Sequence, residues 1–299
     1  MKRMDILLFG RNGQLGWELA RCLAPLGKIE AIDKEDLDLT DQQALESYVL
    51  HKRPRLIVNA AAYTNVDGAQ SEHQLAHAIN ELAPATLAKV THQLNAALVH
   101  FSTDYVFNGQ KVEPYAEQDL PDPLNVYGRS KLDGETAIIE SECAHLIFRT
   151  SWVYSFRQPS FPGKVLEWAR TQDQLRIVDD QIGSPTWARM LAEATALILA
   201  LGWSDMIGWV QEKTGLYHLA GRGVCSRQEL ASQTLLYYEK MMGDCLASIL
   251  PAKSEEFPSP AVRPSNSALD CTKFERTFGL QLPPWQESLQ LALAAHLER

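Results

Sequence analysis

Short apolar runs alternate with longer segments of helical periodicity along the first half of the chain. The apolar runs predict buried strands, and the segments between them predict helices. The predicted strands are 5–9, 29–33, 56–61, 97–101 and 146–150. The predicted helices are 14–26, 41–50 with Thr40 as its cap, 72–94 with Pro84 kinking or dividing it, and one through 127–141. Such alternation is typical of βαβ units, in which helices cover both faces of a parallel sheet.

The pattern is less regular beyond about residue 152. Strand-like pieces at 176–179 and 216–219 mix with helices around 186–201 and 226–242, and a Pro/Ser-rich stretch at 257–265 predicts a surface loop. A length of 299 residues allows about two domains. We therefore predict an α/β fold with a Rossmann-type doubly wound parallel sheet. Residues 1–152 would form it, with later returns of the chain allowed, and a smaller mixed α/β C-terminal domain would comprise mainly residues 153–299.

A glycine-rich turn follows the first predicted strand and precedes the first predicted helix. Its GxxGxxG pattern places glycines at Gly10, Gly13 and Gly16. Gly10 would permit the tight turn, Gly13 would let a pyrophosphate approach the backbone, and Gly16 would let helix and strand pack closely. Free amides at the start of a helix bind phosphate oxygens. The turn therefore predicts a dinucleotide cofactor, with a purely structural turn as the alternative.

Acidic residues follow the second predicted strand, where the adenosine ribose of such a cofactor lies. Asp33 would accept a hydrogen bond from a ribose 2′-hydroxyl and repel a 2′-phosphate, which favours NAD over NADP. Arg11 in the glycine turn could compensate by pairing with a phosphate. Asp33 could equally be a solvated turn residue. Asp38 would reach the adenine or cap the approach to a helix.

Thr103, Tyr127 and Lys131 predict the chemistry. Thr103 and Asp104 follow the fourth strand, at the sheet edge where ligands bind in such folds. Tyr127 and Lys131 lie at positions i and i+4 and therefore share one helix face. A neighbouring ammonium would lower the tyrosine pKa toward neutrality, so that the phenol could protonate a carbonyl oxygen while hydride reaches the carbon. Thr103 would bond the same oxygen, and Lys131 would hold the nicotinamide ribose.

Composition limits the partners and the compartment. The 28 basic and 37 acidic residues give a net charge of −9, which disfavours nucleic acid and anionic membrane surfaces as partners. The longest apolar stretch, 190–203, is too short and too interrupted to span a membrane. Scattered cysteines and the absence of a signal-peptide pattern predict a cytoplasmic protein with reduced thiols. These cysteines are Cys22, Cys143, Cys225, Cys245 and Cys271.

Several motifs, taken together, resemble one known family. They are the glycine turn, the Tyr127–Lys131 pair, NAAAYT at 59–64, STDYVF at 102–107, PLNVYG at 123–128, RTSWVY at 149–154, DQIGSPT at 180–186 and the segment 263–269. This set resembles the extended short-chain dehydrogenase/reductases and, within them, the dTDP-4-dehydrorhamnose reductase family. The resemblance covers nearly the whole chain.

The resemblance implies roles for individual residues. Tyr127 would be the proton donor, Lys131 its electrostatic partner and ribose ligand, and Thr103 the hydroxyl that orients the carbonyl. The motifs and the resemblance together place these residues at an NAD(P) site: Gly10, Arg11, Asn12, Gly13, Gln14, Leu15, Gly16, Asp33, Asp38, Leu39, Ala62, Tyr63, Thr64, Tyr127 and Lys131. The substrate would be a nucleotide sugar, contacted by Thr103, Asp104, Trp152 and Arg263. Trp152 could instead be a core tryptophan, and Arg263 could cap its own loop rather than bind the substrate diphosphate.

The implied reaction is hydride transfer from NADH or NADPH to the C4 keto group of dTDP-4-dehydro-L-rhamnose, yielding dTDP-L-rhamnose. Two alternatives within the superfamily are a non-catalytic regulatory subunit of the methionine adenosyltransferase type and an NAD-dependent nucleotide-sugar epimerase or dehydratase. The segment 155–161 lacks the asparagines common in the family. Some members dimerise through magnesium held by glutamates. Glu18 fits that pattern, but Arg189 stands where a second acid is expected, so a homodimer stays open and no metal is predicted.

Overall fold

The computed structural model describes residues 4–244 and 246–298. Met1, Lys2, Arg3, Arg299 and the Cys245 thiol considered above lie outside the described residues. The strands are β1 Ile6–Phe9, β2 Ile29–Ile32, β3 Leu56–Asn59, β4 Ala97–Thr103, β5 Ala144–Thr150, β6 Val153–Tyr154, β7 Gln174–Val178, β8 Ile182–Gly183, β9 Thr186–Trp187, β10 Gly215–His218, β11 Cys225–Ser226 and β12 Ser248–Ala252. The helices are α1 Gln14–Cys22, α2 Gln42–Lys52, α3 Val66–Ala69, α4 His73–His77, α5 Ala83–Leu94, α6 Val126–Glu140, α7 Phe161–Ala169, α8 Ala188–Leu201, α9 Met206–Glu212, α10 Arg227–Met242, α11 Thr272–Phe278 and α12 Trp285–Leu297.

A parallel six-stranded sheet in the order β10-β5-β4-β3-β1-β2 forms the centre of the described structure. Every residue of β1, β3 and β4 is buried, as strands covered on both faces require. Apolar residues of α1, α8 and α9 pack on one face of the sheet, and those of α2, α5 and α6 pack on the other. This arrangement confirms the predicted Rossmann-type doubly wound sheet. From β1, the chain first adds β2 on one side and then β3 and the later strands on the other side. The connections therefore diverge between β1 and β3, and the carboxyl ends of these two strands open a crevice for a ligand.

The second half of the chain contributes both to this sheet and to a smaller mixed α/β layer. The strand-like piece predicted at 216–219 becomes β10, which pairs in parallel with β5 and so returns the chain to the central sheet. The short pairs β6–β9, β7–β12 and β8–β11 lie outside that sheet. Helices α7, α10 and α12 pack around them.

Proline chemistry explains where two predicted helices differ from the observed ones. The long helix predicted over 72–94 consists of α4, a π-helical turn at Ala78–Leu82 and α5. Pro84 lies in the first turn of α5, where its missing N–H costs no intrahelical hydrogen bond. The first helix ends at Cys22 rather than at 26, because the chain continues as a 3₁₀ turn that contains Pro25. The cap of α2 is Asp41, whose side chain accepts from the Ala44 amide, and not Thr40.

Among the described residues, no individual helix is long and apolar enough to cross a bilayer. Ala188–Leu201 and Trp203–Glu212 reach that length and composition only as a pair, across a bend of 70°.

Candidate active site

A cavity of about 630 Å³ opens at the carboxyl ends of the central strands. Residues from the glycine turn, from the ends of β2 to β5 and from the C-terminal half line its wall. Of the site residues expected from the sequence, it brings together Gly10, Gly13, Gln14, Leu15, Asp33, Asp38, Leu39, Ala62, Thr64, Thr103, Asp104, Tyr127, Lys131 and Trp152. It does not include Arg11, Asn12, Gly16, Tyr63 or Arg263 in its lining.

The glycine turn forms one end of the cavity and leaves no room for a side chain at Gly10 or Gly16. Gly10 has a φ of +86°, and a Cβ there would lie 2.8 Å from the Ala61 amide nitrogen. A Cβ on Gly16 would lie 1.9 Å from the Gly10 carbonyl oxygen, so this glycine holds α1 against β1 rather than lining the cavity. Gly13 is the residue that precedes α1. The backbone at this helix start is therefore open to an anion, as a pyrophosphate requires.

Buried polar atoms support the fit of a polar cofactor. Among the described residues, Ser102 Oγ and Thr150 Oγ1 are buried without a hydrogen-bond partner, and both residues line the cavity. Buried hydroxyls without partners are rare in folded proteins. Together with the glycine turn, these donors suit the ribose and phosphate groups of a dinucleotide.

The acidic residues beyond β2 have partners within the protein. The two carboxylate oxygens of Asp33 accept hydrogen bonds from the Asn12 and Lys34 amides, each at 2.8 Å. Asp33 thus ties the glycine turn to β2 while lining the cavity. Asp38 accepts from the Thr40 amide and hydroxyl, and these bonds lower the pKa of the Asp38 carboxyl. It lines the cavity and also caps a turn, so both interpretations of Asp38 fit the structure.

Arg11 does not reach the cavity, contrary to the suggestion that it pairs with a phosphate. Its guanidinium lies 3.0 Å from the Asp36 carboxylate and donates to the Ala31 carbonyl oxygen at 3.1 Å. Asp36 follows β2, and its carboxylate holds the Arg11 side chain along the outside of the turn. The Tyr63 hydroxyl is likewise turned to Glu72 rather than to the cavity.

Lys131 is buried and lines the cavity. Its ammonium donates to the Phe101 carbonyl oxygen at 2.6 Å, and Nζ lies 3.1 Å from Nε2 of the buried His100. Burial lowers the pKa of Lys131 to about 8, and the charge of Glu135 one turn away partly opposes that effect. Glu135 is held by a buried ion pair with Arg149, with Nη2 and Oε2 separated by 2.6 Å.

Tyr127 departs from the expected electrostatics. Burial raises the pKa of its phenol well above the ordinary value, the Thr103 hydrogen bond opposes this, and the Asp104 charge adds to it. The expectation of a lowered pKa is therefore wrong for this structure. The reason is that the Lys131 ammonium is directed at Phe101 and so does not offset the desolvation of the phenol. A raised pKa keeps Tyr127 protonated at neutral pH, which is the form that a proton donor needs.

A set of hydroxyl groups fixes the end of β4. The Thr103 hydroxyl donates to one Asp104 oxygen at 3.1 Å and accepts from the Tyr105 amide at 3.2 Å. The other Asp104 oxygen accepts from the hydroxyls of Ser151, at 2.8 Å, and Ser267. Thr103 is thereby held beside Tyr127, and the buried Asp104 carboxylate has three hydroxyl donors.

Trp152 stands at the cavity wall in a constrained conformation. Its φ is +44°, a region that non-glycine residues seldom adopt. Its indole lies so close to Gly183 that a Cβ there would be 2.4 Å from the ring. Trp152 lines the cavity while its ring packs against Gly183, and its role as a substrate contact stays a prediction.

Some lining residues were missed by the sequence analysis. Ser102 and Thr150 end neighbouring strands, so their position at the sheet edge could have identified them. Gln158 and Arg227 come from the second half of the chain and carried no local signal. Both line the cavity.

Among the described residues, no group of three or more His, Cys, Asp or Glu side chains could hold a metal ion. Arg189 pairs with Glu193, with Nε and Oε1 separated by 2.9 Å.

Comparison with known proteins identifies the family. The family model described as the RmlD substrate binding domain matches residues 4–297. A dTDP-4-dehydrorhamnose reductase of Escherichia coli K12 is 40% identical over 299 residues, covering 97% of each chain. The crystal structure of a dTDP-4-dehydrorhamnose reductase from Clostridium acetobutylicum has a TM-score of 0.90 and 32% identity, covering 99% of this chain and 100% of the other. One from Bacillus anthracis, in complex with NADP, has a TM-score of 0.87 and 32% identity, covering 98% and 99%. The chain therefore belongs to the dTDP-4-dehydrorhamnose reductase family.

Proposed function

We propose that this chain reduces the C4 keto group of dTDP-4-dehydro-L-rhamnose to dTDP-L-rhamnose, with NADH or NADPH as the reductant. The observation that carries the proposal is a single cavity that joins the glycine turn to Thr103, Tyr127 and Lys131 and then to Trp152. A dinucleotide at the glycine turn and a nucleotide sugar at Trp152 would meet at these side chains. The similarity to the named reductases supports the same substrate.

The cofactor side follows from the glycine turn and Lys131. When bound, NAD(P)H supplies the hydride. The amides at the start of α1 would hold the pyrophosphate, and Asp33 would accept from the adenosine ribose. Lys131 would donate to the nicotinamide ribose. The other residues expected at the NAD(P) site that line the cavity would contact the same cofactor. They are Gly10, Gly13, Gln14, Leu15, Asp38, Leu39, Ala62 and Thr64.

The acid side follows from Tyr127 and Thr103. The Tyr127 phenol would donate its proton to the keto oxygen, and Thr103 would fix that oxygen by hydrogen bonding. The Thr103 hydroxyl has one proton, which it donates to Asp104 at 3.1 Å in the described structure, so the hydroxyl must turn from Asp104 to the keto oxygen when substrate binds.

The substrate side involves Asp104, Trp152 and Arg263. The indole of Trp152 would pack on the apolar face of the sugar ring. Arg263 is paired with Asp67 at 2.7 Å, so its role as a diphosphate ligand requires a second interaction beside that ion pair.

We further propose that residues 1–152, with β10, form the NAD(P)-binding domain, and that 153–299 bind mainly the nucleotide sugar. The cytoplasmic location and the homodimer stay predictions.

A direct assay tests the reaction. Purified protein, NADH or NADPH and the 4-keto sugar nucleotide generated in situ should together show loss of the reduced cofactor's absorbance. Without the keto sugar the absorbance should stay constant. Cofactor that remains bound through gel filtration, without net consumption, would instead indicate an epimerase or dehydratase. Absence of turnover together with tight association with a methionine adenosyltransferase would indicate a regulatory subunit.

The low pKa of Lys131 predicts a pH dependence for this reaction. Because the ammonium form donates to the ribose, kcat/KM for NAD(P)H should fall about tenfold per pH unit above a break near pH 8. An unperturbed lysine would give a break at about pH 10.4. The Tyr127 phenol, with its raised pKa, does not titrate in this range.

Unfolding would not account for the expected fall in kcat/KM above pH 8. A lysine whose pKa is lowered by folding makes the protein more stable as pH rises from the folded to the unfolded pKa, because the unfolded chain binds more protons there. Thermal unfolding measured at each pH provides the control. A profile that stays flat up to pH 10 would contradict the assignment of Lys131.

A further inference from the structure

The cavity wall holds an arginine to which the mechanism above gives no role. Arg227 is the first residue of α10 and lines the cavity together with Thr103, Asp104 and Trp152. Its Cζ lies 3.6 Å from the centre of the Trp152 ring and 5.1 Å from that of Phe161. A guanidinium stacked on an indole at this distance is held by cation–π attraction and packing. Arg227 is therefore a fixed cation at the substrate end of the cavity.

Arg227 has no ion-pair partner among residues 4–244 and 246–298, whereas Arg263 is paired with Asp67. Asp104 interacts electrostatically with Arg227, but hydroxyl groups of Thr103, Ser151 and Ser267 already occupy its oxygens. A half-buried cation that lacks an ion-pair partner costs free energy. An anionic ligand at the guanidinium would offset that cost.

A second arginine lies near the same point. Both Arg227 and Arg263 interact with the Tyr105 hydroxyl, and Tyr105 lines the cavity. Two guanidinium groups that interact with one phenol suit an anion with two adjacent charged groups, because each can donate two hydrogen bonds to a phosphate. The net charge of −9 means that a polyanionic ligand needs such directed local cations.

We propose that Arg227 binds the diphosphate of the nucleotide-sugar substrate, with Trp152 holding its guanidinium flat and Arg263 as the second cation. This inference rests on the proposed function, because it takes the nucleotide sugar as the substrate. The cofactor also carries a diphosphate. That group is assigned to the glycine turn, at the other end of the cavity.

Calorimetric titration of the full-length protein tests the inference with stable probes. Arg227→Met keeps an unbranched side chain against Trp152 but removes the charge and the donors. We expect it to bind dTDP and dTDP-glucose about 10- to 100-fold more weakly than the wild type, as for a lost charge-assisted hydrogen bond. NADPH affinity should change less than about threefold, because the glycine turn is untouched. Arg170→Met is the matched control: Arg170 lies 6.0 Å from the Tyr238 ring and does not line the cavity.

The outcomes separate the inference from its rivals. Weaker dTDP-glucose binding with unchanged dTDP binding would assign Arg227 to the sugar and overturn the proposal. Equal weakening of NADPH would assign it to the cofactor and overturn it as well. If Arg227→Met does not fold, Arg227→Lys decides: dTDP binding should weaken at least about threefold, because lysine lacks the bidentate fork, and wild-type affinity would overturn the proposal.

The wild-type protein separates this inference from the proposed reaction. Failure of the wild type to bind dTDP would overturn both the nucleotide-sugar substrate and the role of Arg227. Binding of dTDP that depends on Arg227, without reduction of the keto sugar, would support the diphosphate site and overturn only the reaction.

Discussion

Replacing Tyr127 with phenylalanine is expected to lower kcat for reduction of the keto sugar by about 10²- to 10⁴-fold, the range for loss of a positioned general acid. The substitution removes only the hydroxyl that would protonate the keto oxygen. The ring keeps its contact with Tyr105, whose centre lies 6.0 Å away. NAD(P)H affinity, measured by fluorescence titration, should therefore stay within about threefold of wild type. Steady-state turnover at saturating cofactor is the measurement.

A second tyrosine provides the matched control. Tyr217 on β10 is buried, does not line the cavity and donates to the Lys213 carbonyl oxygen at 2.7 Å. Tyr217→Phe removes the same atom and should lower the free energy of unfolding by about 1 kcal/mol without changing kcat. Near-normal turnover of Tyr127→Phe, beside an equally active Tyr217→Phe, would show that another group is the acid.

The electrostatics of the tyrosine could not be predicted from sequence spacing. The i and i+4 positions correctly place Tyr127 and Lys131 on one helix, and both line the cavity. Spacing does not reveal where a long side chain ends. Burial forces the Lys131 ammonium to find acceptors, and the nearest are Phe101 and His100 on β4. The pKa of each group follows from that choice rather than from the sequence separation.

Local patterns were sufficient for the elements of the central sheet and for the glycine turn. Each strand is a short apolar run, and strand ends in a parallel sheet converge by geometry, so Thr103 and Asp33 could be placed without a structure. Helix α7 was missed, although its residues pack in the core of the second half. Its Phe-Pro-Gly opening is typical of a loop, and tertiary packing overrides that preference.

Contacts between distant segments account for the rest. Arg227 lies 100 positions from Tyr127 in sequence, yet both line one cavity. Arg11 was assigned to a phosphate because the sequence does not show its partner Asp36. The sequence also does not show that Arg263 is paired with Asp67, so that a diphosphate at Arg263 has to bind beside this ion pair. That information appears only once the chain is folded.

The glycine turn supports the second large prediction. Gly16→Ala should weaken NAD(P)H binding by at least about 100-fold, because the new Cβ would lie 1.9 Å from the Gly10 oxygen and 2.6 Å from its carbonyl carbon. Gly10 cannot retreat, since its own Cα is packed so closely on Ala60 that a Cβ would lie 2.9 Å from the Ala60 oxygen. Either α1 moves away from β1 or the turn opens. Both changes misplace the amides that hold the pyrophosphate.

Gly163 provides a control at the equivalent helix position. It is the third residue of α7, as Gly16 is of α1, and a Cβ there would lie 3.5 Å from Ser160 Oγ and 4.0 Å from Phe156 Cδ1, both ordinary contacts. Gly163→Ala should therefore keep NAD(P)H affinity and raise the free energy of unfolding by up to about 1 kcal/mol, because alanine favours the helix. Fluorescence titration and thermal unfolding of both variants separate the steric effect from a general intolerance of alanine. Wild-type cofactor affinity in Gly16→Ala would mean that the pyrophosphate is not held at this turn, since no other described contact could absorb an overlap of this size.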